Sequence, residues 1–194
     1  MQLFVVDTKA KTMEVFENEN LVKKIEDVWI GKNGVSTFDD AVEFYEKTPL
    51  GLFDLGVSFG THDLNIDYPY IKMDDDSYWV DDYKSIHYNY FVEIGEDVDN
   101  FGYPYIVSLK EKDFASAEHL MDYMQQYEYA IFIEYNANGQ INEEGIGNNK
   151  GSAIFLHCHG NKGYTGGCVA INREDMFWIM NYIDRSKKPK IHIK

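Results

Sequence analysis

Basic residues are scarce in this chain of 194 residues: 18 lysines and arginines stand against 33 aspartates and glutamates, a formal charge of −15. Proteins that bind nucleic acid gather Lys and Arg on one face to neutralise phosphates, so this balance argues against a nucleic-acid partner. The only basic cluster, RSKKPKIHIK at the C-terminal end, reads as a polar turn and a last strand. Long apolar runs are missing as well. No segment approaches the ~18 consecutive apolar residues of a membrane helix, and no membrane span is expected. The opening MQLFVVDTKAKTMEVF alternates as a strand does and lacks the basic start and apolar stretch of an export signal. Either the protein is cytoplasmic or its export signal lies outside this sequence. Only two cysteines occur, Cys158 and Cys168, which excludes a disulfide framework and allows one bridge at most. Four prolines are too few for a Pro/Ser-rich linker, and neither a repeat nor a low-complexity tract divides the chain. We therefore expect one domain over residues 1–194.

What is present is apolar and aromatic: 44% hydrophobic and 15% aromatic residues exclude disorder and supply a core. Most of it is arranged as strands. Leu3–Val6 and Met13–Phe16 flank a turn at Thr8–Lys11. Val22–Ile30 ends at the turn Gly31–Gly34. Leu52–Phe59, Trp79–Val80, Tyr88–Ile94 and Tyr105–Leu109 are short strands between Asp, Asn, Gly and Pro. Ala130–Tyr135 and Ala153–His157 suit buried strands, and Lys190–Ile193 closes the sheet. Two helices are expected. One is read from Ala117, Leu120, Met121, Met124 and Tyr127 after Ser116. The other follows Asn172, whose partner Asp175 suggests a capping box before Met176, Phe177, Ile179, Met180 and Ile183. The fold class is mainly β (α+β), with a few short helices. Trp79 and Trp178 are expected in the core. The acidic run Asp74–Asp76 is read as a solvated loop.

The segment with chemistry in it is GSAIFLHCHGNKGYTGGCVAI, Gly151–Ile171. An apolar strand delivers His157 at its end, a Gly-rich loop follows, and Gly166-Gly167-Cys168 opens another apolar run. A cysteine is a useful nucleophile as its thiolate, and an adjacent imidazole can take the proton. Two neighbouring strands joined by eleven residues can bring the pair together, and the glycines before the cysteine leave N–H groups that can point at one oxyanion. Two alternatives stand beside this reading. Cys168 can be a small buried hydrophobe. His157, Cys158, His159 and Cys168 can also be counted as four metal ligands, but successive strand residues face opposite ways and the spacing matches no usual zinc motif, so no metal is expected. GNNKGS lacks the first glycine of a phosphate loop.

This segment resembles the active-site strand pair of YkuD-type L,D-transpeptidases. The resemblance extends to TPLGLFDLGVSFG (Thr48–Gly60), WVDDYKSIHYN (Trp79–Asn89) and IGKNG (Ile30–Gly34), in the expected order. It implies a single β-sandwich catalytic domain and, as partners, the stem peptides of peptidoglycan at an extracytoplasmic cell wall. Cys168 matches the catalytic cysteine, which attacks the carbonyl joining an L- to a D-residue. His157 matches the base, which we expect to be oriented by a backbone carbonyl. The N–H groups of Gly167 and Cys168 match the oxyanion donors, and no cofactor is implied. A side-chain amine of a second stem as acceptor gives a 3→3 cross-link; water makes the enzyme an L,D-carboxypeptidase. The commoner family motif is Ser/Thr-His-Gly-Cys followed by Val or Ile and then Arg or Asn, whereas this chain has Thr165-Gly166-Gly167-Cys168-Val169-Ala170. A subgroup with Thr-Ala-Gly-Cys-Val-Ala-Leu is nearer. The departure leaves open a non-catalytic wall-binding module, and whether His159 supplies the polar group that Gly166 lacks. Tyr88, Asn89, Tyr164, Thr165 and Gly166 are further candidates for the substrate cleft.

Overall fold

The computed structural model describes all 194 residues. The N-terminal strands β1 (Gln2–Asp7), β2 (Thr12–Glu17) and β3 (Asn20–Ile25) form an antiparallel meander; alternation predicts the first two, while the strand expected over Val22–Ile30 starts earlier and ends at Ile25. Next come β4 (Val35–Ser36) and β5 (Thr48–Pro49), a short parallel pair, then β6 (Gly51–Gly60) and β7 (Tyr70–Lys72). The middle of the chain gives β8 (Ser77–Val80), β9 (Phe91–Ile94), β10 (Ile106–Leu109) and β11 (Ala117–His119). The C-terminal part gives β12 (Tyr129–Ile133), β13 (Phe155–Cys158), β14 (Val169–Ile171), the helix α1 (Arg173–Tyr182) and β15 (Lys190–Ile193).

These strands make a nine-stranded sheet ordered β14-β13-β12-β6-β15-β1-β2-β3 with β7 beside β6, and a four-stranded sheet ordered β10-β9-β8-β11. Strand β6 joins the halves of the larger sheet: Gly51–Asp54 pair with β15, and Leu55–Gly60 pair with β12. Because side chains alternate, β12 and β13 bury both faces. Tyr129, Ile131, Ile133, Leu156 and Cys158 face α1, whose Met176, Ile179 and Met180 are fully buried. Ala130, Phe132 and Phe155 face the smaller sheet. There Trp79 of β8 is completely buried among the rings of Phe59, Phe91, Tyr105, Phe132 and Phe155. This aromatic layer binds the two sheets into the expected sandwich. Removing such a ring from a core costs about 3–5 kcal/mol. Trp178 lies at the edge of the other core, stacked on Tyr182.

One of the two expected helices forms. Asn172 caps α1 by accepting from the Asp175 N–H at 2.9 Å, while its own amide donates to the Asp175 carboxylate at 2.6 Å. The segment 117–127 is not an α-helix. Ala117–His119 add to β8 as strand β11, and only 3₁₀ turns follow at Leu120–Tyr123 and Gln126–Glu128. Strand pairing with β8, together with a hydrogen bond from Tyr127 to Glu118 at 2.7 Å, overrides the helical spacing. Strand β13 also begins two residues later than expected, because Ala153 takes a left-handed φ of 52°.

Candidate active site

Strands β13 and β14 run parallel, with Leu156 opposite Val169 and His157 opposite Ala170. Cys168 immediately precedes β14, and its sulfur meets the Phe155 N–H of β13, two residues before His157. The side chains of His157 and Cys168 are buried, and both line one cavity of about 450 Å³. Its walls come from the segment between β4 and β5, from Glu118–Tyr127, from Lys150–Ile154 and from the loop Gly160–Gly166. A cavity of this size holds a small ligand or one or two residues of a peptide.

The Cys168 sulfur sits in a cage of backbone. Its thiol donates to the Ala153 carbonyl at 3.2 Å and accepts from the Phe155 N–H at 3.3 Å. The imidazole of His157 is oriented by the carbonyl of Cys158, which accepts from Nδ1 at 2.7 Å. Nδ1 therefore carries the proton and Nε2 keeps a free lone pair. The edge of the Tyr127 ring packs on this imidazole at 5.4 Å. Burial lowers the His157 pKa to about 4, and burial followed by the nearby Glu118 charge raises that of Cys168. At neutral pH the pair is a thiol and a neutral imidazole, not a thiolate and an imidazolium. Proton transfer requires the thiol to leave the Ala153 carbonyl.

The loop before Cys168 is tied down from both sides. Thr165 Oγ1 donates to the Cys168 carbonyl at 2.6 Å and accepts from the Gly167 N–H at 3.1 Å. Thr48 Oγ1 donates to the same carbonyl at 3.3 Å and accepts from the Gly31 N–H at 2.8 Å, which links the Thr-Pro and IGKNG strings to Cys168. Gly167 has a φ of 145°, and a Cβ there would meet Ile154 Cδ1 and the Lys47 carbonyl at 3.1 Å, so the position needs glycine. Gly166 is different: a Cβ would meet nothing within 4 Å.

A family model for the L,D-transpeptidase catalytic domain YkuD matches residues 1–193. The chain belongs to the YkuD family. Among solved structures it is similar to a mutant of the helical cell shape determining protein Pgp2 of Campylobacter jejuni, at 13% identity and a TM-score of 0.51 over 100% of this chain and 46% of that one. It is also similar to Bd1075 of Bdellovibrio bacteriovorus, at 15% identity and a TM-score of 0.48, covering 100% and 47%. An L,D-transpeptidase from Mycobacterium smegmatis matches at 13% identity and a TM-score of 0.43, covering 100% and 58%. The chain thus spans about half the length of these structures. A search of curated proteins returned no match.

In this YkuD domain the other residues singled out from sequence fall into two groups. Tyr164, Thr165 and Gly166 line the cavity with Cys168 and His157. Tyr88, Asn89 and His159 do not. His159 stacks on Trp29 with ring centroids 3.9 Å apart, and its Nε2 bonds the Asp27 carbonyl at 2.9 Å. Tyr88 is fully buried; its hydroxyl donates to Glu43 and accepts from the Gly151 N–H at 3.0 Å. Asn89, equally buried, accepts from Trp79 Nε1 at 2.8 Å and the Ala153 N–H at 3.0 Å, and donates to the carbonyls of Tyr135 and Asn136 at 3.1 and 2.7 Å. Both brace the Gly151–Ala153 wall from behind. Cys158 faces the opposite core, where its thiol donates to the Tyr129 carbonyl at 3.7 Å. Residues with no signal in the sequence also reach the cavity: Glu43, Asp81, Glu118 and Tyr127.

Two substitutions test this geometry. Asn89→Ala leaves three buried groups unpaired, Trp79 Nε1, the Ala153 N–H and the Tyr135 carbonyl, while the Asn136 carbonyl keeps the Gly139 N–H, and it is expected to cost about 3 kcal/mol or more in urea unfolding; an unchanged midpoint would contradict the bracing role. Gly166→His, placed in open space, should unfold within about 0.5 kcal/mol of the parent, and a large loss would show that the loop has less room than described.

Proposed function

We propose that this domain is an L,D-transpeptidase in which Cys168 attacks the donor stem peptide and His157 is the base. The observation that supports this most is the parallel β13–β14 pairing, with a buried thiol and a neutral imidazole, its Nδ1 held by a backbone carbonyl, on the wall of one cavity. In the first half-reaction the thiol proton passes to His157 Nε2 while sulfur bonds to the carbonyl carbon that links the L- and D-residues. The resulting oxyanion faces the Cys168 N–H. The Gly167 N–H is held by Thr165 Oγ1 in this state and joins only if that bond opens. Collapse breaks the C–N bond, and the departing D-amino acid takes the proton from His157, leaving a thioester. In the second half-reaction an amine of another stem gives its proton to His157, attacks the thioester and returns the thiol. Water in the same place makes the reaction an L,D-carboxypeptidation. On this reading the domain works at the cell wall, outside the cytoplasm.

Labelling by a carbapenem, followed by intact mass, tests the roles. Cys168→Ala should acquire no label, and His157→Ala should label roughly 10²-fold more slowly, the usual effect of losing a general base. A labelled alanine variant at 168, or a normal rate without His157, would contradict them. The pH profile provides a separate check. A base whose pKa is lowered to about 4 stays unprotonated through neutral pH, so the labelling rate should be flat from weakly acidic to weakly alkaline pH and fall only near pH 4. An acid limb centred near the ordinary histidine value would mean that the imidazole titrates as if exposed.

A further inference from the structure

The His157 imidazole makes one hydrogen bond, from Nδ1 to the Cys158 carbonyl. A carbonyl oxygen accepts over a broad range of directions, so this bond holds the ring by one atom. The tilt of the ring, and with it the place of Nε2, is left to what packs against it. The ring packed there is Tyr127, in a T-shaped pair with centroids 5.4 Å apart and planes at 84°. Tyr127 is 5% exposed and is itself held between Phe59 at 5.8 Å and Phe155 at 5.3 Å, both edge to face. Its main chain does little to place it, because the short 3₁₀ turn Gln126–Glu128 departs from helical values at Tyr127, with φ −98° and ψ 21°.

The far end of the tyrosine is fixed by Glu118, whose Oε2 accepts from the hydroxyl at 2.7 Å. Glu118 lies on β11 opposite Trp79 of β8, so this bond ties the turn to the aromatic layer between the sheets. The bond stands over a wide pH range. Burial, followed by the Glu118 charge, raises the Tyr127 phenol well above its ordinary value, and the hydroxyl stays a donor. Burial also pushes Glu118 up to about 7, yet a carboxyl group has an oxygen to accept with in either protonation state.

We propose that Glu118 and Tyr127 are positioning residues for the base: the Glu118 carboxyl holds the Tyr127 ring, and that ring sets the tilt of the His157 imidazole. Three elements, β11, the turn before β12 and β13, thus act as one support for Nε2. Neither residue exchanges a proton with the reacting atoms in this role. The proposal rests on the reading of His157 as base, since a ring that takes no proton needs no fixed tilt. Small displacements of a group that transfers a proton are costly in rate, which is why the support reaches the chemistry.

Rates of carbapenem labelling of the full chain, read by intact mass, decide the matter in a double-mutant cycle. Tyr127→Leu should slow labelling about tenfold, a part of the roughly 10²-fold that the base supplies. Added to His157→Ala, the same substitution should slow it no more than about twofold further, because the ring through which it acts is gone. Glu118→Leu should match Tyr127→Leu, whereas Glu118→Gln, whose amide oxygen can accept from the hydroxyl, should recover to within about threefold of the parent. Both replacements remove the charge that raises the Cys168 pKa, so their difference isolates the acceptor. Circular dichroism checks the folding of each variant, and if Tyr127→Leu does not fold, the two Glu118 variants with and without His157→Ala make the same test. A tenfold loss that persists without His157 overturns the proposal, as does a normal rate in either Leu variant, or a Gln variant as slow as Leu. Failure of the base itself reads differently: His157→Ala alone then labels at the normal rate, and both readings fall.

Discussion

The thiol of Cys168 rests against the carbonyl of Ala153, and that carbonyl is where it is because Asn89 holds the Ala153 N–H. A left-handed alanine costs about 1 kcal/mol or more, so the turn persists only while something outside it supplies the difference. Asn89 does so through four buried hydrogen bonds, one of which reaches Trp79 at the centre of the aromatic layer between the sheets. The core of the sandwich is thus mechanically continuous with the sulfur. On the other side of Cys168, Thr48 and Thr165 grip its carbonyl from two different loops. Side chain and main chain of one residue are positioned by opposite walls of the cavity.

Burial has a chemical consequence as well as a structural one. It disfavours charge on both partners, lowering the imidazole and raising the thiol, so the resting pair is neutral. A neutral thiol held by a backbone carbonyl is poorly reactive toward stray electrophiles, and any attack by it requires that hydrogen bond to open. The same desolvation acts on Glu43, Asp81 and Glu118, whose pKa values are all raised chiefly by burial. The cavity is therefore acidic in composition but reluctant to carry its charge.

Much of this was legible in the sequence, and the parts that were not share a cause. Strands such as β1, β2, β6 and β15 announce themselves by alternation, and α1 by the Asn172 cap, because those signals are local. The segment Gly151–Ile171 was informative for the same reason: strand, loop and strand are contiguous. The 117–127 stretch misled because its apolar spacing suits a helix, while its pairing partner β8 lies far away in the chain. Tyr88 and Asn89 were placed in the cleft from their neighbourhood in a motif, whereas their side chains turn inward to the Gly151–Ala153 wall. The three cavity carboxylates come from three remote segments, and no spacing rule connects them.

The central claim is that Cys168, and not the other buried cysteine, Cys158, carries the acyl group. Incubation of the purified chain with a disaccharide tetrapeptide, acid quenching, and tandem mass spectrometry of the peptides bearing each cysteine would test it most directly. The account predicts release of the terminal D-amino acid and a tripeptide thioester mapped to Cys168. A thioester mapped to Cys158, or D-amino acid released with no adduct on either cysteine at any quench time, would contradict it.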